Sequence, residues 1–222
     1  MEIDIYNKKT RILVTGGAGF IGSHLCNLLL ENNYQLTVLD SFINSSSKSI
    51  DKIKELSLRR NKLYSNQLNI IKADLRDFEE VQKIFHEAYS NNNLFEGVIH
   101  LAGLKSTAES VDKPLIYWDS NLAGSINLLK IMDSFSCNKI IFSSSASIYG
   151  LNDDNPLKEE NDISPINPYG NTKFVIEKLL KDLYLSSSVK WKIACLRYFN
   201  PIGAHPSGEL GEDPNDIPNN IF

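Results

Sequence analysis

The chain has 222 residues, enough for one sizeable hydrophobic core and part of a second domain. Hydrophobic residues make up 42% and charged residues 23% of the sequence, close to globular averages, which argues against wholesale disorder. The net charge of −4 argues against a protein held mainly on nucleic-acid phosphates, because such proteins usually carry a basic patch.

The three cysteines, Cys26, Cys137 and Cys195, are odd in number and far apart in the sequence. They form no C-x-x-C pair and suggest no disulfide framework, so we interpret them as reduced thiols of a cytosolic protein. The first residues hold no apolar stretch of signal-peptide length, and no run approaches the roughly 20 residues of a membrane span. We therefore expect a cytoplasmic protein with no membrane partner, no nucleic-acid partner and no metal site.

Short apolar runs alternate with amphipathic stretches along the chain. The runs predicted as strands are 11–15, 35–40, 68–73, 97–103, 139–145 and 192–198. They lack clean alternation of apolar and polar residues, as expected of strands buried on both faces. The stretches predicted as helices are 20–30, 78–88, 115–135 and 169–187, with 44–67 as a solvated helix with loose ends and 200–220 as a long loop. This alternation predicts an α/β fold with a doubly wound parallel sheet of the Rossmann type.

A glycine-rich turn, "VTGGAGFIGSH", follows the first predicted strand and opens the first predicted helix. Gly16, Gly19 and Gly22 permit a tight turn and close approach of the backbone to a pyrophosphate at the helix N-terminus. The second strand ends at Asp40, where a carboxylate can accept hydrogen bonds from an adenosine ribose and would repel a 2′-phosphate. Together they favour a dinucleotide site for NAD rather than NADP, the alternatives being a turn that merely needs glycine and an ordinary strand-end aspartate.

A second group of motifs combines a serine-rich strand end with a tyrosine–lysine pair. The fifth strand ends in "FSSSASIYG" with Ser143, Ser144 and Ser145, at the edge where ligands bind in doubly wound folds. In "NPYGNTK", Tyr169 and Lys173 are four residues apart on a predicted helix and share one face. A free tyrosine has a pKa of about 10, and a nearby ammonium favours the phenolate. We predict Tyr169 as a base, Lys173 as its activator and Ser145 as a donor that orients the substrate oxygen.

These motifs resemble those of the extended short-chain dehydrogenase/reductases, and within that family those of the UDP-glucose 4-epimerases (also called UDP-galactose 4-epimerases). The resemblance runs from about Arg11 to the last residue and also includes "HLAGLKS" and "LRYFNPIGAHPSGELGEDPNDIPNN". It implies that Tyr169 takes the proton from the sugar 4-hydroxyl, that Lys173 also binds the nicotinamide ribose, and that Ser145 bonds the reacting oxygen.

The resemblance also implies the remaining contacts of the cofactor and substrate. The residues that would surround NAD, besides the glycines, Tyr169 and Lys173, are Phe20, Ile21, Asp40, Ser41, Phe42, Ile43, Asn44, Ser45, Asp74, Leu75, Leu101, Ala102, Gly103, Leu104, Lys105, Asn121 and Phe199. Those that would contact the nucleotide sugar, besides Tyr169 and Ser145, are Lys105, Asn200 and Asn220. On local sequence alone, Asp74 either reaches the adenine edge or caps the helix that starts near Phe78, and both readings stay open.

The activity that the resemblance implies is the NAD-dependent interconversion of UDP-glucose and UDP-galactose. A hydride leaves C4 of the hexose, a 4-keto sugar turns in the site, and the hydride returns to the other face. We expect an N-terminal extension at 1–10, an NAD-binding domain at 11–198 and only the start of a substrate domain at 199–222. For a chain truncated there, we expect little or no turnover of UDP-galactose. The resemblance is also compatible with a homodimer.

Two other functions remain open at this point. One is another nucleotide-sugar enzyme of the same superfamily, a 4,6-dehydratase or a decarboxylase. In the dehydratases an acidic pair commonly follows the serine or threonine of the strand end, and Ala146 and Ser147 stand there instead. The other is a non-catalytic NAD-binding fragment.

Overall fold

The computed structural model describes residues 10–60, 66–152, 154, 156–186 and 190–212. Six strands form its sheet: β1 Arg11–Thr15, β2 Gln35–Asp40, β3 Leu68–Lys72, β4 Gly97–His100, β5 Lys139–Ser145 and β6 Lys192–Tyr198. The α-helices are α1 Phe20–Glu31, α2 Ser47–Arg60, α3 Phe78–Ser90, α4 Thr107–Asp112, α5 Pro114–Tyr117, α6 Gly124–Ser134 and α7 Pro168–Ser186. A π-helical turn covers Trp118–Ala123, and a 3₁₀ turn covers Ala146–Tyr149.

All neighbouring strands pair in parallel, in the order β3-β2-β1-β4-β5-β6. The order reverses between β1 and β4, and a doubly wound sheet binds its ligand in the crevice at such a point. The prediction of a doubly wound parallel sheet is confirmed. Four strands have the predicted bounds, while β3 ends one residue earlier than predicted.

The strand predicted at 97–103 is too long by three residues. β4 ends at His100, although the Leu101 N–H still donates to the Thr15 carbonyl at 3.0 Å. The next amide, that of Ala102, turns to the Thr15 hydroxyl, 3.4 Å away, and Gly103 has a φ of +156° that ends the extended backbone. Residues 101–105 are therefore a loop at the carboxyl edge of the sheet.

The sheet separates two hydrophobic clusters. Leu13 and Leu39 face one cluster, which also contains buried side chains of α3, α6 and α7. Their neighbours Val14 and Val38 face the other cluster, which contains buried side chains of α1 and α2. Because successive side chains of a strand point to opposite faces, apolar residues at every position bury both faces of the sheet. This explains why the strands read as continuous apolar runs.

The helix predicted at 115–135 is not continuous. It begins at Pro114, is interrupted by the π-helical turn Trp118–Ala123 and resumes as α6 at Gly124–Ser134. The short helix α4 was not predicted. A helix is present within 44–67 as predicted, but α2 covers only Ser47–Arg60, and it is not simply solvated because Ile50, Ile53 and Leu56 are buried. The helices predicted at 20–30, 78–88 and 169–187 are confirmed with ends shifted by at most two residues.

The proline- and glycine-rich segment is irregular over 199–212, as predicted for a loop. It folds back onto α1 and α2, where Leu210 is buried in their hydrophobic cluster and Glu209 lies 3.7 Å from the Lys52 ammonium and also pairs with Arg59. Residues 1–9 of the expected N-terminal extension and residues 213–222 lie outside the described residues. Among the helices in the described ranges, none combines the length and the apolar character that crossing a bilayer requires.

Candidate active site

The glycine-rich turn is packed too closely for a Cβ at Gly16, Gly17 and Gly22, and at Gly16 and Gly22 the obstacle is backbone. Gly16 has a φ of +72°, and a Cβ there would lie 2.6 Å from the Ala102 nitrogen. A Cβ on Gly22 would collide with the Gly16 carbonyl oxygen. At Gly19 the nearest atom to an added Cβ is 3.4 Å away, which is ordinary contact. The turn is therefore a tight cradle at the N-terminus of α1, the arrangement that suits a pyrophosphate.

Asp40, at the end of β2, is 5% exposed and ties two loops together. Its Oδ2 accepts a hydrogen bond of 2.9 Å from the Ala18 N–H in the glycine-rich turn. Its Oδ1 accepts bonds from the Phe42 N–H at 2.9 Å and from the Ser45 hydroxyl at 2.8 Å. A carboxylate has about four acceptor positions, so capacity remains for a ribose hydroxyl. Asp40 is thus a structural brace as well as a candidate ribose ligand.

The loop at 101–105 is held by Asn121 of the π-helical turn. Asn121 is 2% exposed; its Oδ1 accepts from the Leu104 N–H at 2.8 Å, and its Nδ2 donates to the Leu104 carbonyl at 3.0 Å. The same Nδ2 donates to the Thr172 hydroxyl at 3.2 Å, and that hydroxyl donates to the Tyr169 carbonyl at 2.7 Å. Asn44 Nδ2 lies 3.5 Å from the Gly103 carbonyl. The predicted cofactor segments at 41–45 and 101–105 and the Tyr169 helix are therefore brought together.

The three predicted catalytic side chains lie at the junction of β5 and α7. The ammonium of Lys173, which is 4% exposed, donates 2.7 Å to the Ser143 carbonyl and lies 5.8 Å from the centre of the Tyr169 ring. The Ser145 hydroxyl donates to the Ser147 hydroxyl at 3.1 Å and accepts from the Ser147 N–H at 3.1 Å. Ser147 thus orients Ser145 at the point where the predicted dehydratase acid would stand.

Burial governs the pKa values of this group. Desolvation lowers the pKa of Lys173 from 10.5 to about 8, which leaves the amine easy to deprotonate. The pKa of Tyr169 is raised above its usual value by desolvation, and a side-chain hydrogen bond with Ser145 partly opposes this. The predicted lowering of the Tyr169 pKa by Lys173 is thus not present in the protein alone. The positive charge of an oxidised nicotinamide is the further influence that would favour the phenolate.

The other residues predicted to surround the cofactor differ in their partners and in their burial. Asp74 is paired with Arg76, through bonds of 2.7 and 3.0 Å, and the cap of α3 is Asp77, so the helix-cap reading of Asp74 is wrong. Leu75 is buried in the core. Phe20 packs edge-on against His24, Ile21 and Ser41 are half-buried, and Ile43 is exposed.

The residues after β6 and the lysine of the 101–105 loop are accessible. Phe199 and Asn200 follow the last strand directly at the carboxyl edge of the sheet and are exposed. Lys105 is also exposed, and its ammonium pairs with the Glu212 carboxylate at 2.6 Å. Asn220 lies outside the described residues.

The sequence reasoning missed four polar residues behind the site: Thr15, His100, Ser125 and Thr172. All four are at most 2% exposed. The signal that could have found them is polar residues where a buried strand or helix face predicts apolar ones, since buried polar groups need partners.

Comparison with known proteins agrees with this arrangement. A family model described as GDP-mannose 4,6 dehydratase matches residues 13–221. The chain belongs to the extended short-chain dehydrogenase/reductase family. Among curated members, it is 47% identical over 211 residues to UDP-glucose 4-epimerase 2 of Arabidopsis thaliana and 46% identical over 211 residues to the UDP-glucose 4-epimerase of Bacillus subtilis (strain 168). Each match covers 95% of this chain but 57% and 58% of the relative, so the chain spans less than two thirds of their length.

Solved structures of short-chain dehydrogenase/reductases show the same likeness. The UDP-glucose 4-epimerase from Bifidobacterium longum in complex with NAD+ and UDP superposes with a TM-score of 0.84 at 40% identity, covering 94% of this chain and 59% of that one. The UDP-glucose-4-epimerase from Stenotrophomonas maltophila with bound NAD and formylated UDP-arabinopyranose gives 0.86 at 38% identity, covering 96% and 59%. The resemblance to the UDP-glucose 4-epimerases stated from the sequence is confirmed.

Proposed function

We propose that the protein is an NAD-dependent isomerase that interconverts UDP-glucose and UDP-galactose. The observation that carries the proposal is the meeting of Tyr169, Lys173 and Ser145 at the same sheet edge as the glycine-rich turn and Asp40. The relatives named UDP-glucose 4-epimerase support the reaction, and two of the solved structures contain NAD. We also propose the domain division 11–198 and 199–222 within this chain.

The residues present fit NAD. The close backbone packing at Gly16 and Gly22 leaves no space for a Cβ at either position, and such a tight turn at a helix N-terminus suits a pyrophosphate. Asp40 keeps acceptor capacity for the adenosine ribose, and its charge disfavours a 2′-phosphate. The loop at 101–105 and Asn121 would flank the nicotinamide half, with Lys173 on its ribose. When bound, NAD supplies a hydride acceptor that later returns the hydride.

The protein's own groups then handle the proton and the position of the sugar. Tyr169 takes the proton from the 4-hydroxyl oxygen and gives it back to the oxygen of the 4-keto sugar. Ser145 keeps the hydrogen bond that its oxygen accepts from the Ser147 N–H, and it would turn its one hydroxyl hydrogen from the Ser147 hydroxyl to the same substrate oxygen, beside Tyr169. The Lys173 ammonium is held at the Ser143 carbonyl, 5.8 Å from the centre of the Tyr169 ring, and would bind the nicotinamide ribose from there. No proton is gained or lost overall, because Tyr169 both removes the proton and returns it.

The matching family model carries the name of a dehydratase. Dehydration of the sugar would need an acid beside Ser145. Ala146 and Ser147 follow it, and the Ser147 hydroxyl is engaged with Ser145. A hydroxyl with a pKa far above neutrality is a poor acid for expelling water from a sugar. This local chemistry supports epimerisation over 4,6-dehydration.

We further propose a homodimer formed through the outer face of α5 and α7. Leu115 and Ile116 of α5 are 81% and 48% exposed, and Tyr184 and Leu185 of α7 are 62% and 68% exposed. Large apolar side chains exposed on adjacent helices are typical of interaction surfaces. Leu115→Glu should convert the dimer to a monomer in light scattering after size-exclusion chromatography, and an unchanged mass would contradict this surface.

The proposed location is the cytoplasm, which three free thiols support.

The test begins with NAD binding by the 222-residue protein. We expect saturating NAD to raise the melting temperature by several degrees and NADP at the same concentration to raise it much less. No shift of the melting temperature with NAD would contradict the proposed cofactor.

The second experiment follows conversion of UDP-galactose by NMR. We expect Tyr169→Phe to abolish any turnover. The control Tyr89→Phe, on an exposed face of α3, should leave turnover unchanged. A 4-keto-6-deoxy product would instead show dehydration, and NAD binding without turnover would favour a non-catalytic NAD-binding fragment.

A further inference from the structure

A chain of hydrogen bonds runs behind the site, through side chains that do not line it. At its centre is His100, the last residue of β4, which is 2% exposed. Its Nδ1 lies 2.7 Å from the hydroxyl of Thr15, the last residue of β1, and its Nε2 lies 2.8 Å from the hydroxyl of Ser125 in α6. The ring therefore connects the carboxyl ends of two central strands to the helix on one face of the sheet.

The neighbouring bonds determine where the imidazole proton is. The Ser125 hydroxyl donates to the Asn121 carbonyl, so its oxygen is free to accept from His100, and Nε2 must carry the hydrogen. Nδ1 is then an acceptor and receives the hydroxyl hydrogen of Thr15, whose oxygen is 3.4 Å from the Ala102 N–H. The bonds run in one direction, from the Ala102 amide to the Asn121 carbonyl. A chain aligned in this way is stronger than its separate bonds.

We propose that His100, protonated on Nε2 and bare on Nδ1, is a positioning residue that holds the π-helical turn and so aims Asn121 at the 101–105 loop. The π-helical turn Trp118–Ala123 is a rare conformation that needs outside support. His100 supports the turn by donating to Ser125, whose hydroxyl bonds the Asn121 carbonyl. The Asn121 side chain in turn bonds Leu104 and Thr172, and the Thr172 hydroxyl bonds the Tyr169 carbonyl in the first turn of α7. The inference rests on the proposed function, because it treats the 101–105 loop and Asn121 as the cofactor-facing elements.

The surroundings keep this tautomer in place. Burial lowers the pKa of His100 to about 3, and the positive charge of Lys173 adds to the effect. The ring also packs against Phe142 of β5, with ring centres 5.6 Å apart. An imidazolium would place a second donor at Nδ1, facing the Thr15 hydroxyl, and break the single direction of the chain. His100 therefore acts as a fixed connector rather than as a proton carrier.

The tautomer is tested first, on the unliganded protein. In ¹⁵N-labelled protein, the side-chain nitrogen shifts of His100 should report a protonated Nε2 and a bare Nδ1, unchanged between pH 5 and pH 8. A protonated Nδ1, or an imidazolium at pH 6, would overturn the assignment. This measurement needs no cofactor, so its outcome is independent of whether NAD binds.

A pair of variants tests the positioning role. The amide nitrogen of His100→Gln can occupy the place of Nε2 and still donate to Ser125, whereas the shorter amide of His100→Asn reaches only the Thr15 side. We expect hydrogen exchange of the Leu104 amide, relative to the core amide of Val38, to accelerate about tenfold in His100→Asn, the effect of losing about one net hydrogen bond. In His100→Gln the acceleration should stay below about threefold.

Equal effects of the two variants on the Leu104 amide would overturn the positioning role and leave His100 as a core-packing residue. The dissociation constant for NAD should follow the same order, weakened about tenfold by His100→Asn and less by His100→Gln. If the wild-type protein binds no NAD, the proposed function fails while the exchange experiment still decides the role of His100. NAD binding unaffected by a displaced Leu104 would contradict the link from His100 to the cofactor site.

Discussion

The buried ammonium of Lys173 donates a 2.7 Å hydrogen bond to the main-chain oxygen of Ser143, at the end of β5. This bond fixes α7 against the strand that carries Ser145, and it places a charge beneath the Tyr169 ring. It is one acceptor for a group that is almost fully removed from water, which is why desolvation lowers the Lys173 pKa. The same burial gives the protein a measurable dependence on pH.

The stability of the wild type relative to the Lys173→Met variant should increase as pH rises. The lysine has a pKa of about 8 in the folded protein against 10.5 ordinarily, so between these values the unfolded chain binds more protons and wild-type stability rises with pH. Relative to Lys173→Met, the wild-type free energy of unfolding should rise by about 2–3 kcal/mol from pH 8 to pH 10.5. Denaturant titrations at several pH values measure this. Lys181→Met, at an exposed position of the same helix, should show no such rise, and a difference for Lys173→Met that is independent of pH would count against the buried amine.

Gly22→Ala and Gly19→Ala form a matched pair in one turn. The added methyl of Gly22→Ala collides with the Gly16 carbonyl and should cost about 3 kcal/mol of stability, because the turn must move. That of Gly19→Ala meets nothing closer than 3.4 Å and should cost less than about 1 kcal/mol. Thermal unfolding compares the two stabilities, and calorimetry should show NAD affinity reduced more than tenfold only in the first. Equal losses of stability in both variants would mean that the close contact of Gly22 with the Gly16 carbonyl does not determine the effect of substitution in this turn.

Asp40→Asn should destabilise the protein although it changes only one atom type. Both carboxylate oxygens accept hydrogen bonds, so the amide nitrogen of the variant would face a donor, at Ala18 or at Phe42 and Ser45. We expect a loss of about 2 kcal/mol, measured by urea denaturation, together with weaker NAD binding. Asp77→Asn is the control, because asparagine caps a helix as well as aspartate does. A neutral Asp40→Asn variant would show that the brace is not formed in solution.

His100→Gln should make the protein less sensitive to acid. The pKa of His100 is lowered to about 3, so between that value and about 6.5 the unfolded chain binds one more proton and stability falls as pH falls. Wild-type stability should therefore drop by up to ~1.4 kcal/mol per pH unit below pH 6.5 relative to His100→Gln. Urea titrations at pH 7, 6 and 5 give the difference. Parallel curves for the wild type and His100→Gln would show that His100 is protonated in the fold.

The sequence determined the elements and the candidate catalytic group of this protein. β1, β2, β5 and β6 have their predicted bounds, because a strand covered on both faces must be apolar at nearly every position. The glycine spacing, the strand-end Asp40 and the four-residue spacing of Tyr169 and Lys173 are local patterns, and a strand–helix alternation is enough to bring them to one edge.

What only the tertiary structure decided depends on contacts between distant parts of the chain. The π-helical turn looks like ordinary helix in sequence, since its supports, Leu104, Thr172 and the His100–Ser125 pair, come from other elements. The N-cap of α3 is Asp77 because the helix begins at Phe78, and the side chain of Asp74 is bonded to Arg76 instead. The pKa values of Lys173 and His100 follow from burial, and burial is a property of the packed chain that no local pattern of residue types encodes.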